Sequence, residues 1–135
     1  MNESKALREC IESARLVASH FGGRYLESWH LLIAMTNHSY SVAGATLNEF
    51  PYEIDRLEKV AVELTETNYS DSEDYQELPF SHRLKVLFVE AEYIATTVHA
   101  KTLGTEHVLY AILHDGNALA TRILEKAGFS YEDQK

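Results

Sequence analysis

The sequence repeats itself. Displaced by 77 residues, the chain aligns with its own second half without a gap: Ser4 falls on Ser81, Leu7 on Leu84, Ala14 on Ala91, Ala18 on Ala95, Leu26 on Leu103, His30 on His107, Leu32 on Leu109, Ala34 on Ala111, Ala43 on Ala120 and Leu47 on Leu124. Arg8 opposite Lys85, and Arg24 opposite Lys101, keep the charge. A duplicated unit constrains the fold more than any single motif does. Each copy alone leaves an apolar face that only the other copy can cover.

The repeated unit is helical. Leu7, Cys10, Ile11, Ala14, Val17, Ala18 and Phe21 recur at steps of three or four, one apolar stripe on a helix over residues 4–20, stopped by Gly22-Gly23. Further helices are predicted over residues 28–35, with Leu31, Leu32 and Met35 inward, and over 41–49. Another follows Pro51, marked by Ile54, Leu57, Val60, Ala61 and Leu64. Beyond Pro79 the pattern resumes. Leu84, Leu87, Phe88, Ala91, Ile94, Ala95 and Val98 form a stripe over 81–99, followed by helices over 105–113 and 117–126, the last ended by Gly128. The tail 131–135 starts one more turn or leads out of the domain. No segment alternates as a strand does. The expected fold is all-α: two four-helix units in tandem, packed with pseudo-twofold symmetry. We place repeat 1 at about residues 1–66 and repeat 2 at about 80–135 of one domain. Between them, at about 67–79, lies a solvated connector carrying Asp71, Glu73, Asp74 and Glu77 with no basic residue.

Composition narrows the function. Hydrophobic residues make up 45% of the 135, enough for a core. Twelve basic against twenty-one acidic residues leave a net charge of −9, which argues against nucleic-acid binding. No apolar run is long enough for a membrane span, and no signal segment opens the chain. Cys10 is the single cysteine, so there is no internal disulfide, which fits a reducing compartment. It falls on the apolar stripe and reads as a core residue. There is no GxxxxGK[ST] loop. Seven histidines occur, but without HExxH or Cys–His spacing they do not form a metal site. His30 and His107 sit at matching first turns and read as buried groups hydrogen-bonded to backbone or to the other repeat.

The segment Leu103-Gly-Thr-Glu-His-Val-Leu-Tyr-Ala-Ile-Leu113 resembles the G-T-E-H-[IL]-L-x-[AG]-[IL]-L signature of the Clp amino-terminal domain, itself a tandem of two helical halves. Leu26-Glu-Ser-Trp-His-Leu-Leu-Ile-Ala-Met35 is a degenerate copy of it. The family's [FY]-[TS] pair at the first helix appears as Phe80-Ser81, and as Glu3-Ser4 with only the hydroxyl kept. Within the family the chain is most similar to the ClpC branch of Gram-positive bacteria. The resemblance implies a cytoplasmic docking module, not an enzyme by itself. It would deliver adaptor proteins of the MecA kind and protein substrates to the ATPase rings of a hexameric unfoldase, and through them to the ClpP peptidase. ATP and magnesium would belong to those rings, with no cofactor in this domain and no membrane or nucleic-acid partner. The isolated domain is expected to be a monomer. The alternatives are a free-standing helical adaptor and a helical-bundle metalloenzyme using the histidines. A reading frame that continues past Lys135 into an ATPase loop would set the first aside.

In the ClpC branch the domain resembles a receptor for phosphoarginine. Such a receptor needs a carboxylate for the guanidinium, and donors or cations for the phosphate. Glu106 stands at the family's carboxylate position in the second half. Ser81 offers a hydroxyl at a helix start, with Lys85 and Arg83 nearby. Ser4 and Arg8 are their first-half counterparts. Trp29, however, occupies the place that matches Glu106, and Glu27 is expected to point elsewhere. We therefore expect one working site, not two, or a domain specialised for adaptors. Trp29, Tyr25 and Phe21 are candidates for an exposed aromatic patch.

Overall fold

A computed structural model describes residues 1–21, 24–38, 40–49, 59–61, 63, 78–114 and 119–126. Six helices are named among them: α1 (Lys5–His20), α2 (Ser28–Asn37), α3 (Val42–Leu47), α4 (His82–Thr97), α5 (Thr105–His114) and α6 (Leu119–Lys126). The all-α expectation holds. Residues 59–61 and 63 are also helical, with Val60 and Ala61 buried, inside the helix predicted after Pro51. The rest of that helix, residues 67–77 of the acidic connector, and the tail lie outside the described residues.

The two long helices start alike. Ser4 and Ser81 hold extended backbone, and each accepts a hydrogen bond from the N–H three residues on, Leu7 and Leu84, at 3.1 Å in both cases. α4 ends where the chain turns through His99 in the left-handed region, φ 59. There the N–H groups of His99 and Ala100 close back on Thr96 and Ala95 at 3.0 and 2.9 Å, a Schellman ending. Val98, predicted to continue the apolar stripe, is therefore a cap residue and 62% exposed.

The symmetry is written in the backbone. Ser4 N–H donates to the Leu103 carbonyl at 2.8 Å and Leu103 N–H to the Asn2 carbonyl at 2.8 Å. The same pattern, displaced by the repeat length, joins Ser81 N–H to Leu26 O at 2.9 Å and Leu26 N–H to Pro79 O at 2.8 Å. Each half thus lends the start of its long helix to the start of the other half's second helix. The third helices also cross over. α3 packs on α5 and α6 on α2, in addition to their own halves. Thr105 Oγ1 accepts from Ala43 N–H at 3.1 Å across that junction.

The core centres on α2. Every residue from Ser28 to Thr36 is buried, including Leu31, Leu32, Ile33 and Met35, each worth about 1.5–3 kcal/mol on burial. Around it stand Leu7, Cys10, Ile11, Ala14 and Ala18 of α1, Leu84, Leu87, Ala91 and Ala95 of α4, and Val108, Leu109 and Ile112 of α5.

Candidate functional site

The cross-stitching creates two niches at the helix starts. In the first, the start of α1 lies against Leu103, three residues before Glu106. Ser4 caps the helix and Arg8 Nη1 donates to the Glu3 carbonyl at 3.0 Å. Glu106 sits in the first turn of α5 with its side chain 44% exposed. Its carboxylate folds back over Gly104, where a Cβ would collide with Oε1, and lies 3.9 Å from His107 Nδ1. Only glycine at position 104 leaves room for that rotamer.

The second niche holds Ser81, with exposed Arg83 and Lys85 on the first turn of α4, beside Leu26 and Glu27. The sequence led us to group these three with Glu106, and the structure separates them. His82 and Arg83 face His114 at the far end of α5, eight residues or about 12 Å along the helix from Glu106. α4 and α5 run in opposite senses, so their starts lie at opposite ends. The structure instead brings Glu106 to the Ser4–Arg8 end of the other half.

Trp29 is the second correction. It is 3% exposed, packed edge-on against Phe21 with ring centroids 5.0 Å apart and tilted over His30 at 3.9 Å. Phe21 is equally buried, so of the expected aromatic patch only Tyr25, 54% exposed, faces solvent. Large apolar rings at this junction of α1 and α2 gain more from burial than from display. Trp29 also holds Glu27, donating from Nε1 to Oε2 at 3.2 Å. Glu27, expected to point elsewhere, is tied by this bond to the residue that matches Glu106. The halves read Glu27-Ser-Trp29 and Gly104-Thr-Glu106, and both keep a carboxylate at the start of the second helix. The displaced acid two residues before the tryptophan was the signal available in the sequence.

The paired histidines serve these starts. His30 Nδ1 accepts the Glu27 N–H, and His107 Nδ1 the Gly104 N–H, both at 2.9 Å, the role glutamate plays in a capping box. The proton of His30 therefore lies on Nε2, which is buried and has no hydrogen-bond partner among the described residues. Burial lowers the His30 pKa to about 3, so the ring is neutral. Cys10 is fully buried, and its thiol is pushed up to about 11 mainly by burial, the state of an inert core thiol.

One network had no sequence signal. Tyr40 Oη–H donates to Glu9 Oε2, so its oxygen accepts from His38 Nδ1–H at 2.6 Å, and His38 Nε2 accepts from Ser13 Oγ–H at 2.7 Å. Tyr40 is pushed up to about 12, chiefly by that bond to Glu9. The chain ties the turn before α3 to α1 along a cleft of about 600 Å³, lined also by Lys5, Arg8 and Glu12. At the matching place in the second half His82, Val86 and Glu90 line a cleft of about 440 Å³. Among the described residues no group of three His, Cys, Asp or Glu side chains is placed to hold a metal ion. No helix there is long and apolar enough to cross a membrane.

Comparison with known proteins agrees with this architecture. A probable ATP-dependent Clp protease ATP-binding subunit of Chlamydia pneumoniae is 25% identical over 119 residues, covering 87% of this chain but only 14% of the relative. The N-terminal domain of the chaperone ClpD from Arabidopsis thaliana superposes with a TM-score of 0.72 at 20% identity, over 96% of this chain and 89% of that one. The ClpV N-domain, solved in complex with a VipB peptide, gives 0.72 at 20% identity over 99% and 82%. A structure from a study of a malarial protein secretion system gives 0.75 at 18% over 98% and 88%. The profile of the Clp repeat N-terminal domain matches residues 2–127, and the chain belongs to that family.

Proposed function

We propose that this chain docks adaptor proteins and protein substrates for a Clp-type unfoldase, and that phosphoarginine is one of the marks it reads. The family makes it a binding module rather than an enzyme. The observation that carries the reading is the niche in which the start of α1, with Ser4 and Arg8, is stitched to the segment leading to Glu106. An exposed carboxylate suits a guanidinium. A helix start and an arginine suit the phosphate attached to it. On a surface of net charge −9, an anionic mark is steered by the few cations, Arg8 here and Arg83 and Lys85 in the second niche. Glu27, held by Trp29, supplies the second niche with the acid that position 29 lacks. That favours two sites over the one expected from sequence. The ClpV N-domain complex with a peptide supports a protein partner. Delivery to ATPase rings and the ClpP peptidase, and adaptors of the MecA kind, follow from the same family reading.

Titration calorimetry with a phosphoarginine peptide tests it. Glu106→Ala and Arg8→Ala should each weaken one site at least tenfold, and Glu27→Ala the other, with the unmodified peptide binding far more weakly. Unchanged affinity in Glu106→Ala would remove the phosphoarginine assignment.

A further inference from the structure

Glu106 is placed by a missing side chain. The segment that carries it is tied on three sides. The Leu103 carbonyl accepts from Ser4 N–H, and Leu103 N–H donates to the Asn2 carbonyl, both at 2.8 Å. Gly104 N–H is held by His107 Nδ1 at 2.9 Å. Thr105, 2% exposed, accepts Ala43 N–H on its hydroxyl at 3.1 Å. Bonded in this way to the start of α1, to α5 and to α3, the backbone at Gly104 is fixed, and its lack of a Cβ leaves a notch at the start of α5.

The notch is filled. The three heavy atoms nearest to where a Cβ would stand all belong to the Glu106 carboxylate, with Oε1 overlapping it, Cδ at 2.8 Å and Oε2 at 3.4 Å. The acid therefore reaches back from the first turn of α5 and lies against residue 104, one residue from the backbone that Asn2 and Ser4 clasp. Shape holds it there, not hydrogen bonds. Among the described residues its polar contact is with His107 Nδ1, at 3.9 Å, too long for a hydrogen bond. The lone pair of that nitrogen is already engaged by Gly104 N–H. The carboxylate oxygens thus keep their acceptor capacity for an incoming cation. Glu27 is held differently, since its Oε2 is engaged by the Trp29 indole.

We infer that Gly104 is a positioning residue for guanidinium binding, because its lack of a Cβ lets the Glu106 carboxylate lie back toward the start of α1, where Ser4 and Arg8 await the phosphate. This rests on the reading of Glu106 as the guanidinium acceptor. A methyl group at position 104 meets only the end of a flexible side chain, so it evicts the carboxylate and leaves the backbone in place. Affinity should fall while the fold is kept. Titration of the whole chain with a short phosphoarginine peptide, followed through the backbone amide NMR signals of residues 104–107 and 27–30, reads the two niches separately. Gly104→Ala should weaken the Glu106 niche about three- to tenfold, the cost of offering the acid from a displaced rotamer. The Glu27 niche and the helical circular dichroism should be unchanged. Before any peptide is added, the scalar couplings that report the Glu106 side-chain rotamer should already differ from those of the native chain. In a Glu106→Ala background the same glycine change should have no further effect, since no carboxylate is left to place. Native affinity or a native Glu106 rotamer in Gly104→Ala overturns the proposal while Glu106 remains the acceptor. An equal loss in the Glu106→Ala background also overturns it, because the glycine would then act through the backbone. A niche indifferent to Glu106→Ala removes the phosphoarginine reading, and this proposal with it.

Discussion

α2 and α5 are the same helix of the same repeat, and they live in different solvents. Both start on a backbone N–H held by a histidine at 2.9 Å, and both receive a cross-stitch from the opposite half. Yet α2 is buried all round, whereas α5 turns Glu106 and Tyr110 outward, the latter 49% exposed where α2 has Ile33 at 2%. The backbone hydrogen bonds that define the unit are unchanged by this divergence. What differs is the outward face, and that face decides which copy carries its acid within the helix and which encloses a tryptophan there. A duplicated fold thus keeps its joints and varies its exposed positions.

Position 29/106 should show the largest asymmetry. Trp29→Ala removes a ring packed on Phe21 and His30, together with the donor that holds Glu27, and should cost about 3–5 kcal/mol in urea unfolding. Glu106→Ala, at the matching but exposed place, should change stability by less than about 0.5 kcal/mol. Comparable losses at both positions would mean that the halves are packed alike. Gly44 ranks next. A Cβ there runs into the carbonyls of Met35 and His38, which are backbone and cannot swing away, so Gly44→Ala should cost about 1–3 kcal/mol. Gly104→Ala meets only the movable Glu106 carboxylate and should be far milder.

These contrasts mark what the sequence could carry. Helices show in local periodicity, and Ser4, Ser81, His30 and His107 show in the repeat, because their partners lie within four residues. The pairing of Ser4 with Leu103 and of Ser81 with Leu26 is long-range, so Glu106 was assigned to the niche of its own half. The exchange of Glu27 and Trp29 was visible only as a misalignment, because the indole–carboxylate bond that compensates it depends on burial. The Glu9–Tyr40–His38–Ser13 chain spans thirty-one residues between Tyr40 and Glu9, and no spacing rule announces it.

His30 links burial to pH. Its pKa is about 6.5 unfolded and about 3 folded, so between those values the unfolded chain binds a proton that the native chain does not. The contribution to stability is intact above the unfolded value and is lost as pH falls toward 3. The slope reaches about 1.4 kcal/mol per pH unit from this one group. Urea midpoints from pH 7 to 4 should fall more steeply in the native chain than in His30→Asn, which keeps an acceptor for the Glu27 N–H without a basic ring. Parallel slopes would show that the buried imidazole does not govern the acid response.

The smallest effect tests the symmetry itself. Ser4 and Ser81 accept their capping bonds at the same 3.1 Å and receive the same cross-half stitch. Ser4→Ala and Ser81→Ala should therefore cost the same, about 1 kcal/mol each, because the lost side-chain acceptor leaves one helix-start N–H unpaired in both. The stitches run through backbone and survive both changes. The two sites lie in different niches and share no side-chain partner, so the double variant should lose the sum. Unequal single losses would place the difference between the halves in the joints as well as on the surface. A double loss smaller than the sum would mean that the two stitches open together as one unit.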